Sequence, residues 1–194
     1  FIVVVAFWFL LSLLGALPFM LSDNPHLSLV DAVFETASGL TTTGASILSG
    51  LDAITNPNPV PKAMLYYRAQ LNFLGGMGIV VLAVALLPML GIGGMQLYKA
   101  ETPGPMKDEK LTPRITETAK NLWYIYVGLN VICTLSFWIA GMDFFDAICH
   151  SFATIALGGF STHDASIGYF NSPAIELTAG FFSIAAAVNF ALYF

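Results

Sequence analysis

The amino-acid sequence predicts an all-α membrane protein built from two tandem units, each with a membrane helix, a re-entrant loop and a second helix. Three observations lead to this fold class: long uncharged apolar runs, basic residues concentrated in one connection, and an internal repeat. Hydrophobic residues make up 57% of the chain and charged residues only 10%, whereas soluble domains are about 25% charged. We therefore expect most of the surface to face lipid.

The apolar residues form four runs that carry no charge, at residues 1–21, 69–91, 121–142 and 177–194. A helix of about 20 residues rises 1.5 Å per residue and reaches about 30 Å, the thickness of the hydrocarbon core of a bilayer. Each run is therefore predicted to cross the membrane. Because the chain opens without Met and both ends lie in apolar runs, we expect a fragment of a longer protein, with its last helix truncated.

The distribution of charge predicts the orientation. Five of the seven basic residues lie in the connection between the second and third runs, namely Lys99, Lys107, Lys110, Arg114 and Lys120. By the positive-inside rule this connection is cytoplasmic. The connections at 22–61 and 143–173 contain carboxylates and no Lys or Arg, and are assigned to the outside. The predicted organisation is a first unit at 1–91, a cytoplasmic connection at 92–121 and a second unit at 122–194.

An internal repeat relates the two units. Asp31-Ala32-Val33-Phe34 overlies Asp146-Ala147-Ile148-Cys149 at a shift of 115 positions, and the same shift places Gly44 on Gly159. Identity is low, so the claim depends on order and spacing. Each copy is predicted to contain a membrane helix, a short amphipathic segment, a loop with glycine and a second helix.

The short segments, Leu29–Leu40 and Phe144–Ile155, are too short to cross a bilayer and are typical of re-entrant helices. Because each unit crosses the membrane twice, the two copies have the same orientation. Parallel repeats indicate rotational symmetry about the membrane normal, whereas inverted repeats are common in secondary transporters. The predicted architecture is therefore potassium-channel-like, with both loops toward the periplasm.

The loops that follow the short segments, residues 40–46 and 155–161, contain no charge. Irregular backbone at membrane depth is tolerated where it is buried in protein or lines a water-filled cavity. Carbonyl oxygens there can replace the hydration shell of an ion, and the carboxyl end of the preceding helix favours a cation. An ordinary loop with a glycine turn would explain either one alone. Two such loops at one spacing favour a pathway for a potassium-like ion.

Three segments resemble the TrkH branch of the Trk/Ktr/HKT superfamily of potassium transporters. They are Glu35-Thr-Ala-Ser-Gly-Leu-Thr-Thr-Thr-Gly-Ala-Ser46, Asn72-Phe-Leu-Gly-Gly-Met-Gly-Ile79 and Ala156-Leu-Gly-Gly-Phe-Ser-Thr162. The resemblance implies four repeats around one pathway, with a filter glycine from each, and potassium uptake across a bacterial inner membrane. It also implies a homodimer with a cytosolic nucleotide-binding regulatory subunit.

On this resemblance, Gly44 and Gly159 are the filter glycines of the first two repeats, and K⁺ is the transported ion bound in the filter. Six residues would supply carbonyl ligands: Thr42, Thr43, Gly44, Leu157, Gly158 and Gly159. The expected partners are thus membrane lipid and potassium ions, and no nucleic acid.

Arg68 lies about two turns into the helix predicted to start near Lys62. A charge at that depth is costly unless it pairs, faces water or snorkels to the interface. Two interpretations stay open: Arg68 pairs with Glu35 and braces the filter, or it snorkels to the outer surface. His150 takes the position of Glu35 in the second copy, so we expect no second brace.

Other functions are less consistent with the sequence. A cation-coupled secondary transporter of a solute is the alternative, although it usually has inverted repeats. An enzyme would need a nucleophile with a base, or a metal cluster, at membrane depth. The three histidines, His26, His150 and His163, do not have metal-ligand spacing, so no enzymatic activity is expected.

Overall fold

A computed structural model describes residues 2–54, 56–81 and 111–187. Within these ranges the chain is helical and contains no strand, as expected for the all-α class. The elements in chain order are α1 Ile2–Gly15, α2 Leu17–Leu21, α3 Leu29–Leu40, α4 Lys62–Val81, α5 Leu111–Ile139, α6 Phe144–Ile155, a 3-10 helix Ser166–Phe170 and α7 Pro173–Ala187.

The first apolar run was predicted as one membrane helix but is divided into α1 and α2 at Ala16. Pro18 explains the break, because proline has no N–H and its ring clashes with the carbonyl four residues earlier. Helical hydrogen bonds between residues four positions apart nevertheless continue on both sides of Ala16. The amide of Ala16 donates to the Ser12 carbonyl at 3.1 Å, and that of Met20 donates to the Ala16 carbonyl at 3.2 Å.

The two short helices, α3 and α6, have the bounds that the sequence predicted. Each starts behind a side-chain cap, since Ser28 accepts a hydrogen bond from the Asp31 amide and Asp143 accepts one from the Phe145 amide. Such caps satisfy amide donors that the first helical turn leaves without partners. Each helix also has an acidic residue in its first turn, Asp31 or Asp146, whose negative charge interacts favourably with the positive end of the helix dipole.

Helix α4 lies between the two halves of the described structure. It contacts α3 of the first half and both α5 and α6 of the second half. One apolar core lies around α3 and includes Phe19, Ala32 and Leu65, while the other lies around α6 and includes Phe137 and Ala147. Both short helices are therefore held against the same long helix.

One helix in the described ranges, Lys120–Ile139 within α5, is long and apolar enough to cross a membrane. Residues Val5–Leu21 and helices α6 and α7 form shorter apolar helices. Large apolar side chains lie on the surface, including Phe9, Ile139 and Phe181, which are 62%, 83% and 67% exposed. Such an exterior suits contact with lipid.

Parts of the predicted topology fall outside the described residues. These are residues 82–91 and 188–194 of the predicted membrane runs and most of the predicted connection 92–121, with Lys99, Lys107 and Lys110. Within that connection, residues 111–121 are already part of α5. The proposed side of the membrane for this segment stays a prediction.

Candidate ion pathway

The loops after α3 and α6 have the same backbone conformation at equivalent positions. Thr42 and Leu157 have positive φ angles of 54° and 55°, and Gly44 and Gly159 have angles of 75° and 81°. Positive φ is uncommon for residues other than glycine. Strained backbone of this kind concentrates at functional sites, so the matched strain at Thr42 and Leu157 marks both loops as a candidate site.

A Schellman motif produces the first part of this conformation in both loops. After α3, the Thr42 amide donates to the Gly39 carbonyl at 3.1 Å and the Thr43 amide donates to the Ser38 carbonyl at 2.9 Å. After α6, the equivalent bonds join Leu157 to Thr154 at 3.1 Å and Gly158 to Ala153 at 2.8 Å. The loop amides thus cap the helices. Among the described residues, none donates a hydrogen bond to the carbonyls of the six candidate ligands.

The two loops meet at Gly44. A Cβ atom at this position would overlap the carbonyl oxygen of Gly158 and would lie 3.7 Å from the Cα of Gly159. Gly44 is therefore required both by its φ angle and by the close approach of the other loop. A Cβ on Gly159 would meet no described atom within 4 Å, so at that position only the φ angle of 81° favours glycine.

Glu35 on α3 forms hydrogen bonds with the end of the first loop. Its carboxylate accepts hydrogen bonds from the Ser46 hydroxyl at 2.9 Å, from the Ile47 amide at 3.1 Å and from Nε of Arg68 at 2.8 Å. Glu35 is 0% exposed and Arg68 is 2% exposed. The structure therefore shows a buried ion pair and not an arginine that snorkels to the surface.

The second loop has an equivalent side-chain contact, which is made by a different residue type. Nε2 of His150 lies 2.9 Å from the Ser161 hydroxyl, and its Nδ1 lies 2.8 Å from the Asp146 carbonyl. His150 and Ser161 occupy the positions of Glu35 and Ser46 in the other copy. A buried side chain on the short helix thus holds the serine of its own loop in both units.

Arg68 contacts both loops. Its Nη2 donates to the Ser46 hydroxyl at 2.9 Å, and its Nη1 donates to the Ser161 carbonyl at 3.0 Å. The guanidinium also lies 4.4 Å from the centre of the Phe160 ring, a cation–π distance. From the sequence, pairing with Glu35 as a brace of the filter was one of two open interpretations of Arg68, and no contact with the second loop was predicted. Nothing in the sequence indicates the contact with Ser161, because the two residues are distant in the chain.

One face of α4 continues this contact with both loops. Asn72 packs against Gly158, Gly75 packs against the Leu40 carbonyl at the end of α3, and Gly76 packs against Ala156. Residues three and four positions apart share a helix face. The two adjacent glycines therefore let α4 approach the ends of both short helices, which agrees with the small-residue packing common between membrane helices.

The connection between α3 and α4 and the connection between α6 and α7 are also joined. His163 lies 3.3 Å from a carboxylate oxygen of Asp52 and 3.2 Å from one of Asp146. The Asp164 carboxylate accepts hydrogen bonds from the amides of Gly50 and Leu51, both at 2.9 Å. Three of the carboxylates in the connections that the sequence predicted to lie outside therefore make contacts within the protein.

A helical chain with an apolar exterior and two matched, strained loops against one central helix has the features of a membrane transport protein. The family model for TrkH, described as a cation transport protein, matches residues 1–194. The chain belongs to the TrkH family.

Known proteins of this family are similar over the whole chain. It is 60% identical over 194 residues to the Trk system potassium uptake proteins TrkH of Vibrio parahaemolyticus and Escherichia coli K12. It is 50% identical to the Trk system potassium uptake protein TrkG of Escherichia coli K12. All of this chain is covered, but it spans 39% of the length of each of these relatives.

A solved structure shares the fold. The crystal structure of the potassium transporter TrkH from Vibrio parahaemolyticus superposes with a TM-score of 0.81 at 53% sequence identity. The match covers 100% of this chain and 36% of the crystallised one.

Proposed function

We propose that the protein containing this chain takes up potassium ions across a bacterial inner membrane through a channel-like pore, and that this chain supplies two of its filter loops. The main support is the convergence of two loops with the same unusual backbone at Gly44 and Gly158. The relatives with 60% identity are named as potassium uptake proteins, which is consistent with K⁺ as the transported ion.

The filter is built from backbone carbonyls. The Schellman motifs direct the loop amides back to α3 and α6, so the carbonyls of the six candidate residues are available to an ion. These residues are Thr42, Thr43, Gly44, Leu157, Gly158 and Gly159. Rings of carbonyl oxygens replace the hydration shell of K⁺. The carboxyl ends of both short helices add a negative potential at the same place.

The Glu35–Arg68 pair acts as a brace for this filter. A carbonyl filter must hold its oxygens at fixed positions, and preorganised dipoles need support from locked neighbouring side chains. Arg68 supplies that support to both loops through Ser46 and Ser161. Because Glu35 neutralises it, the brace does not place a net positive charge beside the cation.

The membrane arrangement follows the same proposal. The two units are parallel repeats, α3 and α6 are re-entrant, the pore loops face the periplasm and residues 92–121 are cytoplasmic. Helices of 12 residues cannot span a bilayer, which supports re-entrant placement. The relatives are more than twice as long as this chain, which leaves room for two further repeats. By family likeness the whole protein is a homodimer with a cytosolic nucleotide-binding regulatory subunit.

The test uses the full-length protein in liposomes, with K⁺ and Na⁺ flux measured for wild type and for Gly159→Ser. The substitution forces a side chain onto a residue with φ of 81° and is expected to lower the preference for K⁺. The matched control is Gly168→Ser in the 3-10 helix, where a Cβ also meets no described atom within 4 Å and φ is not positive.

Equal selectivity in all three proteins would contradict the filter assignment. Potassium accumulation that stops when a sodium or proton gradient is removed would favour the cation-coupled secondary transporter instead.

A further inference from the structure

Asn72 on α4 is a buried amide whose two polar atoms have no hydrogen-bond partner in the part of the chain that the structure describes. The residue is 0% exposed, and neither Oδ1 nor Nδ2 forms a hydrogen bond among the described residues. Buried polar groups are nearly always hydrogen-bonded in proteins, and an exception calls for an explanation such as a functional role or a bound water. The surroundings of Asn72 supply one.

The amide lies directly against the second loop. A Cβ on Gly158 would lie 2.5 Å from Cγ and Nδ2 of Asn72 and 2.8 Å from Oδ1. The space that a side chain at 158 would occupy is therefore filled by the Asn72 amide. Gly158 does not have a positive φ angle, so this contact, and not backbone conformation, requires glycine there.

The first loop lacks an equivalent contact in the described structure. Thr43 takes the place of Gly158 there, and its exposed side chain has its hydroxyl 2.8 Å from that of Thr41. The carbonyl of Gly158 is also the group that approaches Gly44 in the first loop. Any movement of the Gly158 peptide would therefore change the distance between the loops.

We propose that Asn72 is a positioning residue for the second filter loop, and that its amide seats the Gly158 peptide and binds a water molecule beside it. Water can donate to Oδ1 and accept from Nδ2 at once, whereas a cation would satisfy Oδ1 and be repelled by Nδ2. This inference rests on the proposed filter function, because its readout is ion selectivity.

The first test compares Asn72→Leu with wild type in the full-length protein. Leucine is close in shape but cannot hydrogen-bond, and because no described residue is paired with the Asn72 amide, the change leaves no described protein group without its partner and should not impair folding. We expect the K⁺ to Na⁺ permeability ratio to fall roughly fivefold, the ratio that corresponds to one ordinary hydrogen bond. The control is Asn130→Leu in α5. The Asn130 amide is also buried, its Oδ1 has no partner among the described residues, and its Nδ2 donates to the Tyr126 carbonyl of the same helix at 2.8 Å.

The second test separates the steric and polar roles of the amide. Gly158→Ala should abolish selective flux, because the new methyl group meets Asn72. Adding Asn72→Ala restores the space but not the amide, so flux should return with selectivity still reduced. Recovery of full selectivity in this double variant, or wild-type selectivity in Asn72→Leu, would overturn the proposal.

Gly44→Ala in the same assay distinguishes the two levels of inference. If Gly44→Ala lowers selectivity while Asn72→Leu does not, the filter proposal stands and the role of Asn72 is refuted. If neither changes selectivity, the filter proposal itself fails.

Discussion

Replacing Arg68 by alanine is expected to destabilise the protein and to impair both loops at once. The change leaves the Glu35 carboxylate at 0% exposure and, among the described residues, with donors from Ser46 and Ile47 alone. Removing one partner of a buried ion pair costs about 3–5 kcal/mol, because the remaining charge is uncompensated. The hydrogen bonds to Ser46 and Ser161 are lost as well, so we expect the upper part of this range.

The assay is unfolding of the purified full-length protein by sodium dodecyl sulfate in mixed micelles, together with K⁺ and Na⁺ flux. The matched control is the double variant Glu35→Gln with Arg68→Met, which leaves no buried charge. Replacement of a buried ion pair by neutral groups of similar volume is often close to neutral for stability. The double variant should therefore be more stable than Arg68→Ala while still being less selective than wild type.

Arg68→Lys separates charge from geometry. Lysine keeps a positive charge for Glu35, but its compact ammonium does not have the planar fork that reaches both loops. We expect most of the stability to remain and selectivity to fall. Wild-type stability and selectivity in Arg68→Ala would refute the role of the Glu35–Arg68 pair as a brace.

Two other predictions concern the loops and the outer connections. Gly44→Ala should reduce flux more than Gly159→Ala. Both residues have positive φ, but only at Gly44 would a Cβ overlap an atom of the other loop. Equal effects of the two substitutions in the liposome assay would contradict the convergence of the loops at Gly44. Asp164→Ala removes an acceptor from two backbone amides of the first unit, each charged hydrogen bond being worth about 1.5–3 kcal/mol. Limited proteolysis from the outer side should then cleave the connection near residue 50 faster than in wild type, whereas Asp23→Ala, at an exposed position, should leave the rate unchanged.

Local features of the structure could be predicted from the sequence. The bounds of α3 and α6 followed from two short amphipathic segments and from the single shift that relates them. Amphipathic periodicity acts within a few residues, where local sequence determines the backbone. The positive φ of Thr42 and Leu157 had no such signal, because glycine or asparagine is the usual residue at that position of a Schellman motif.

Contacts between the units could not be predicted in the same way. The pair of Arg68 with Glu35 was one of two interpretations, and burial decides between them. The contacts of Arg68 with Ser161 and of Asn72 with Gly158 depend on how α4 lies between the two halves. Sequence spacing carries no information on such distances, since tertiary packing sets them. Pro18, in contrast, is a local signal in the sequence that indicates the break in the first apolar run.

The sharing of one arginine has a consequence for how far the two halves can be exchanged. Because Arg68 already serves Ser161, the second half does not need an acid of its own at position 150, and a neutral imidazole can hold the loop there. A chimera with the first half duplicated in place of the second would set a further carboxylate near a guanidinium that one acid already neutralises. The two loops are therefore alike in backbone, but the two halves are not interchangeable. A substitution in either half is expected to affect the other.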